Sequence, residues 1–165
     1  MRPILFTAAL MAVATAAQAQ AAWTAQRFAE ANFATQAPIA LAFTSQKEDN
    51  GWVLRDYQGR GAADFYLAVA GRKLGQPDST DAEEVRADID NFVKAFPGAA
   101  VIYRRSGPGP NQEELVMEAN GHRFWVRSTH RHPWALVSTY GARLPLSAEA
   151  ERNGYRFLDA TRLLD

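Results

Sequence analysis

The chain's three histidines, His122, His130 and His132, crowd into one short window of a 165-residue sequence that has no cysteine. His130 and His132 stand two apart, a spacing that on a β-strand puts both imidazoles on one face about 7 Å apart. Glu113 falls opposite Ser128 in the hairpin register worked out below, diagonal to His130 on that same face. Glu113, His130 and His132 are therefore a candidate ligand set for one divalent metal, since imidazole and carboxylate are the hard and borderline donors such ions take. His122 cannot join them, because eight strand residues span about 27 Å. Against this reading, H-x-H is a weak signal by itself, and the turn near Arg131 interrupts the shared face. Ser128 and His130 are the one nearby serine–histidine pair. No G-x-S-x-G elbow accompanies them, so nucleophilic hydrolysis is not indicated. No phosphate loop or dinucleotide fingerprint is present, and the sequence implies no cofactor.

A second constellation is Arg123, Trp125 and Arg127. Trp and Arg are typical anchors of protein interfaces, and these three share one strand face. The competing reading is that Arg123 and Arg127 pair with glutamates across the hairpin, and that a helix or the N-terminal segment covers Trp125. Arg104, Arg105, Arg127 and Arg131 with Tyr103 and Trp125 also sketch a nucleic-acid surface. The balance of 18 basic against 18 acidic side chains argues against one.

The element that must position both constellations is Gln112 to Thr129. Asn120-Gly121 lies between two alternating runs, and a type I′ turn needs φ > 0 at both central residues. A two-residue loop sets the register. Ala119 faces His122, Glu118 faces Arg123, Met117 faces Phe124, Val116 faces Trp125, Leu115 faces Val126 and Glu114 faces Arg127. A one-residue slip would set each glutamate against an apolar residue and turn the strand faces over.

Around the hairpin the chain reads as follows. Residues 1–19 have a positive start at Arg2, an apolar run from Ile4 to Ala17, and a small-x-small site at Ala17-Gln18-Ala19. This is the pattern of a secretory signal peptide, and the apolar run is shorter than the roughly 20 residues of a membrane span. Cleavage there leaves 146 residues, 20–165, as a single α+β domain with one acidic side chain in excess. The absence of cysteine suits a bacterial periplasm better than a small disulfide-stapled secreted domain. Ala21 to Thr35 is either a short helix or a late-docking start. Pro38 to Ser45 and Trp52 to Tyr57 make a hairpin about Asn50-Gly51. Arg60 to Leu74 carries Ala62, Phe65, Tyr66, Val69 and Ala70 at helical spacing, with Gly75 as a C-terminal cap.

Thr80-Asp81-Ala82-Glu83 is a capping box. It opens a second helix whose stripe is Val85, Ile89, Phe92, Val93 and Phe96, stopped by Pro97-Gly98. Ala99 to Arg105, the two hairpin strands and Trp134 to Tyr140 form a four-stranded meander. Beyond Ser147 a short turn is interrupted at Asn153-Gly154, and Tyr155 to Leu164 reads as a C-terminal helix.

The expected architecture is thus an antiparallel sheet, N-terminal hairpin plus four-stranded meander, with two central helices and one C-terminal helix. Segregated elements of this kind argue α+β. The element order resembles the extrinsic photosystem-subunit (PsbP-like) fold. That resemblance implies an architecture and no function.

Two functional expectations follow. The first is an exported, periplasmic, non-catalytic binding or accessory protein, of inhibitor or immunity type for instance. It holds a periplasmic protein or small ligand over the face bearing Arg123, Trp125 and Arg127, and requires Trp125 exposed and the histidines apart. The second is a divalent-metal-binding protein built on Glu113, His130 and His132, and requires those side chains to converge.

Overall fold

The computed structural model describes residues 22–165. The expected leader, 1–19, lies outside the described residues. The described residues form an α+β fold with two helices and two antiparallel sheets. Its strands are β1 Thr24–Phe28, β2 Phe33–Ala37, β3 Ala42–Asp49, β4 Trp52–Arg60, β5 Asp64–Lys73, β6 Ala100–Ser106, β7 Gln112–Ala119, β8 His122–Arg131, β9 Trp134–Arg143 and β10 Arg162–Leu163. The helices are α1 Asp81–Lys94 and α2 Ala148–Ala160, and a single 3₁₀ turn, Ala29–Ala31, joins β1 to β2. The large sheet runs β3-β4-β5-β9-β8-β7-β6, and the small one runs β1-β2-β10.

The β7–β8 hairpin has the register that its side chains demand, from Gln112 opposite Thr129 to Ala119 opposite His122. Asn120 and Gly121 both take positive φ, 51° and 73°. Asn50 and Gly51 do the same at the tip of β3–β4. α1 opens on the capping box: the Thr80 hydroxyl accepts from the Glu83 N–H, and the Glu83 carboxylate accepts from the Thr80 N–H.

The stretch expected as the first central helix is instead the end of β4, a turn and β5. The Gly61 N–H donates to the Asp64 carbonyl at 2.9 Å, closing that turn. β5 sits between β4 and β9, with one face buried beneath α2 and the other half-buried on the side of α1. Phe65 and Val69 look toward α1, whereas Tyr66, Ala68 and Ala70 join the core beneath α2. A strand with apolar neighbours on both sides carries an almost continuous apolar run, and such a run also satisfies helical spacing.

The two faces of the large sheet are covered differently. α1 packs on β7 and β8, seating Ile89 against Leu115, Met117, Phe124 and Val126. On the opposite face α2 and the small sheet enclose Val116, Trp125, Leu136, Tyr66 and Tyr140 with Phe33, Phe157 and Leu163. α2 is one continuous helix, capped by the Ser147 hydroxyl accepting from the Ala150 N–H at 3.0 Å. It runs straight through Asn153-Gly154, where an interruption was expected, because Gly154 is the point at which the helix backbone meets the Trp125 indole. The ambiguous start of the chain is a β-hairpin. Its inner strand, β2, takes β10 as its second neighbour.

Candidate functional site

The alternation of β8 carries Ser128 and His130 toward α1, and there they meet one carboxylate. His130 Nε2 lies 2.8 Å from Asp88 Oδ2, and the Ser128 hydroxyl donates to the same oxygen at 2.7 Å. His130 is 4 % exposed, with the edge of Trp52 against its ring at 5.5 Å. The serine proton is thus engaged by a carboxylate rather than by the imidazole, so this trio does not make the activated Ser–His pair of a hydrolase.

The proposed metal ligands do not converge. Glu113 is bound by Arg104, which also holds Asp90. His132 lies past the end of β8 in the two-residue turn to β9, exposed, with its backbone N–H directed at Asp81. The strand alternation that would align it with His130 stops at Arg131. Among the described residues no three His, Cys, Asp or Glu side chains form a metal-sized cluster. His122 Nδ1 sits 3.0 Å from the Asn120 carbonyl at the hairpin turn.

The face of Arg123, Trp125 and Arg127 is internal, which corrects the expectation of an open partner surface. Trp125 is fully buried. Arg127 Nε donates to Glu114 at 2.9 Å, and its other nitrogens reach the Leu158 carbonyl and Asp159, each at 2.7 Å. Arg105 binds Glu114 from the neighbouring strand at 2.8 Å. Arg123 pairs with Glu118 at 2.6 Å and lies over the Trp125 ring. The cross-strand pairing expected of these arginines is present, and the partner seated on the face is the chain's own α2. Ser147 as a cap, with Phe157 and Leu158 one helical face further on, was the available sign of that helix.

What remains open is the α1 face over β4, β5 and β9. There a cleft of about 560 Å³ lies between α1 and the sheet. Leu54, Val69 and Val137 form a half-buried apolar floor, and Trp52 stands at one end. Lys73 enters from β5 with its side chain only 7 % exposed. Its ammonium donates to the Asn50 carbonyl at 3.2 Å, lies 3.7 Å from Asp78 and sits over the Trp52 ring at 5.4 Å. His130 and Asp88 close the far side. Lys73 and Trp52 face each other across β4–β5. Neither stood out in the sequence, because reading residues 60–74 as a helix breaks their pairing.

No family model matches the chain, and no curated protein matches it. Solved structures do share its fold. Cyanobacterial PsbP (CyanoP) from Synechocystis superposes with a TM-score of 0.59 at 8% identity, covering 89% of this chain and 95% of that one. The Ran-binding protein Mog1p from Saccharomyces cerevisiae superposes at 0.54 and 8% identity, covering 88% of this chain and 97% of that one. At such identities the likeness is one of architecture; it agrees with the PsbP-like resemblance, although the element order read from the sequence held a helix at residues 60–74 where the structure has a turn and β5.

Proposed function

We propose that the chain is an exported binding or accessory protein that holds a partner segment or small ligand in the cleft between α1 and the open part of the large sheet. The observation that carries this reading is the uncovered floor of Leu54, Val69 and Val137 beside the buried Lys73 and His130. An apolar floor with a few oriented polar groups is the usual make-up of a ligand site. A framework shared with a protein described as Ran-binding supports a binding role by analogy. Export and a periplasmic destination rest on the leader pattern of residues 1–19 and the absence of cysteine.

The test is a photo-crosslinking residue placed at Val69, with Arg123 and Thr44 as comparison positions, in the full chain expressed in its own host. Adducts are read by intact mass in the periplasmic fraction. A discrete adduct from Val69 and none from Thr44 is expected. No adduct from Val69, or adducts from Arg123 instead, would overturn the cleft as the binding site. Recovery of the chain with residues 1–19 still attached would overturn export.

A further inference from the structure

A second concavity lies on the other face of the same strands. It has a volume of about 250 Å³ and is bounded by β4, β5, β9 and the 3₁₀ turn. Register assembles it from two cross-strand rows: Val53, Arg72 and Trp134, then Arg55 and Ala70. The small side chains Ala31 and Ala70, both buried, leave the space. Val53 and Trp134 form apolar walls, and Leu74, 50 % exposed, stands at the mouth.

Two guanidiniums point into this space, and neither forms an ion pair among the described residues. Arg55 is held by neutral acceptors. Its Nε donates to Gln46 Oε1 at 2.9 Å, and Nη1 donates to the Glu30 carbonyl. Arg72 lies over Trp134, 5.6 Å from the ring centroid. Their positions are diagonal across β4–β5, a separation of about 7–8 Å at which like charges repel. The Glu30 carboxylate, also at the rim, accepts from the Tyr57 hydroxyl at 3.1 Å. Glu48, opposite Val53 on the edge strand, pairs with neither arginine. A positive pair, one member held by neutral acceptors and the other an exposed side chain lying over Trp134, beside two aliphatic walls is complementary to a planar anion on an apolar body. The guanidinium fork matches a carboxylate, giving charge-assisted hydrogen bonds.

We infer that this pocket, on the sheet face away from the α1 cleft, is a site for a small organic carboxylate whose apolar body lies against Trp134 and Leu74. The inference is independent of the cleft, and its test does not touch the cleft.

The experiment titrates phenylacetate into the purified chain and follows the indole N–H resonances, with that of Trp134 assigned from Trp134→Phe. Phenylacetamide keeps the body without the charge. Acetate and inorganic phosphate keep a charge without the body. Saturable shifts of the Trp134 resonance by phenylacetate are expected, with each comparison compound at least about tenfold weaker. Arg55→Gln and Arg72→Gln should each weaken phenylacetate by about tenfold or more, with melting temperatures showing both variants folded. Arg60→Gln should leave binding unchanged. No saturation by phenylacetate up to roughly 10 mM would overturn the site. Equal binding of the amide would overturn its anionic specificity, and equal binding of acetate or phosphate would overturn the role of the apolar walls. Unchanged binding in both arginine variants would place the ligand elsewhere.

Discussion

Replacing Gly154 by alanine is the sharpest test of the burial of Trp125. In an exposed helix this change should stabilise by about 1 kcal/mol, because alanine is the better helix former. Here the added methyl would lie 2.7 Å from Cγ and Cε2 of the Trp125 indole, and closer still to Cδ2. The ring has nowhere to go. It is fully buried, with Tyr140 and Tyr155 at centroid distances of 5.5 and 6.3 Å. Overpacking of this kind costs about 1–3 kcal/mol. Because the ring cannot yield, the upper part of that range applies, about 2–3 kcal/mol, and the helix gain of about 1 kcal/mol leaves a net loss of about 1–2 kcal/mol. For a chain of this size that lowers the melting temperature by roughly 2–8 °C. Thermal and urea unfolding of Gly154→Ala, Trp125→Phe and the double variant supply the assay. The double variant should lose less than the two single losses added together, since the smaller ring yields to the methyl. A Gly154→Ala protein as stable as the parent, or more so, would refute the reasoning. It would mean that α2 does not press on the sheet, and the face of Arg123, Trp125 and Arg127 would again be free for a partner.

Four other outcomes are expected. Burial pushes the Tyr57 hydroxyl up to about 12, and raises Tyr66, Tyr103 and Tyr140 as well; Asp64, accepting from both Tyr66 and Tyr140, adds to the rise at those two. A group whose folded value lies above its unfolded value near 10 contributes its full stability below that pH and loses it as pH climbs through the folded value. Phenolate absorbance should therefore appear together with loss of the circular dichroism signal above pH 10, and reversible ionisation near pH 10 with the fold intact would contradict this. Glu114→Gln removes the carboxylate that neutralises the buried Arg127, and urea unfolding should show a loss of about 3 kcal/mol. A loss below about 1 kcal/mol would show that Asp159 and the Leu158 carbonyl suffice. Asp88→Ala strips the shared acceptor from Ser128 and the buried His130 and should cost about 1–3 kcal/mol in a thermal melt; in the unmodified protein zinc or copper should not raise the melting temperature, and a rise abolished by His132→Ala would restore the metal site.

What could be read from the residues was local and self-checking. Asn120-Gly121 set a register that the glutamate–arginine pairs verified, and the Thr80–Glu83 box marked the start of α1. What escaped was set by distant partners. β5 is apolar on both sides because Phe65 packs with α1 on one face and Tyr66 with α2 on the other, and a chain read alone cannot distinguish that from a helix. β1 and β2 lack a clear pattern because the strand completing their sheet begins at Arg162. The two site expectations failed for different reasons. His132 left the shared face because β8 ends at Arg131 and the turn begins at His132 itself. Trp125 was hidden by a helix whose Asn153-Gly154 looked like a break and is a contact. The α1 cleft left no sequence signature, since Trp52, Lys73 and His130 meet only through the order β4-β5-β9-β8.

The pairing of β2 with β10 orders events during synthesis. Phe33 and Ala34 lie opposite Leu163 and Arg162, and the Leu164 N–H donates to the Asn32 carbonyl. Of the strands described, β10 is the last to leave the ribosome. The small sheet, and the core that Phe33 and Leu163 share with Phe157, therefore stay incomplete until the residues after α2 have been made. Until then β1 and β2 are a hairpin without the third strand of their sheet.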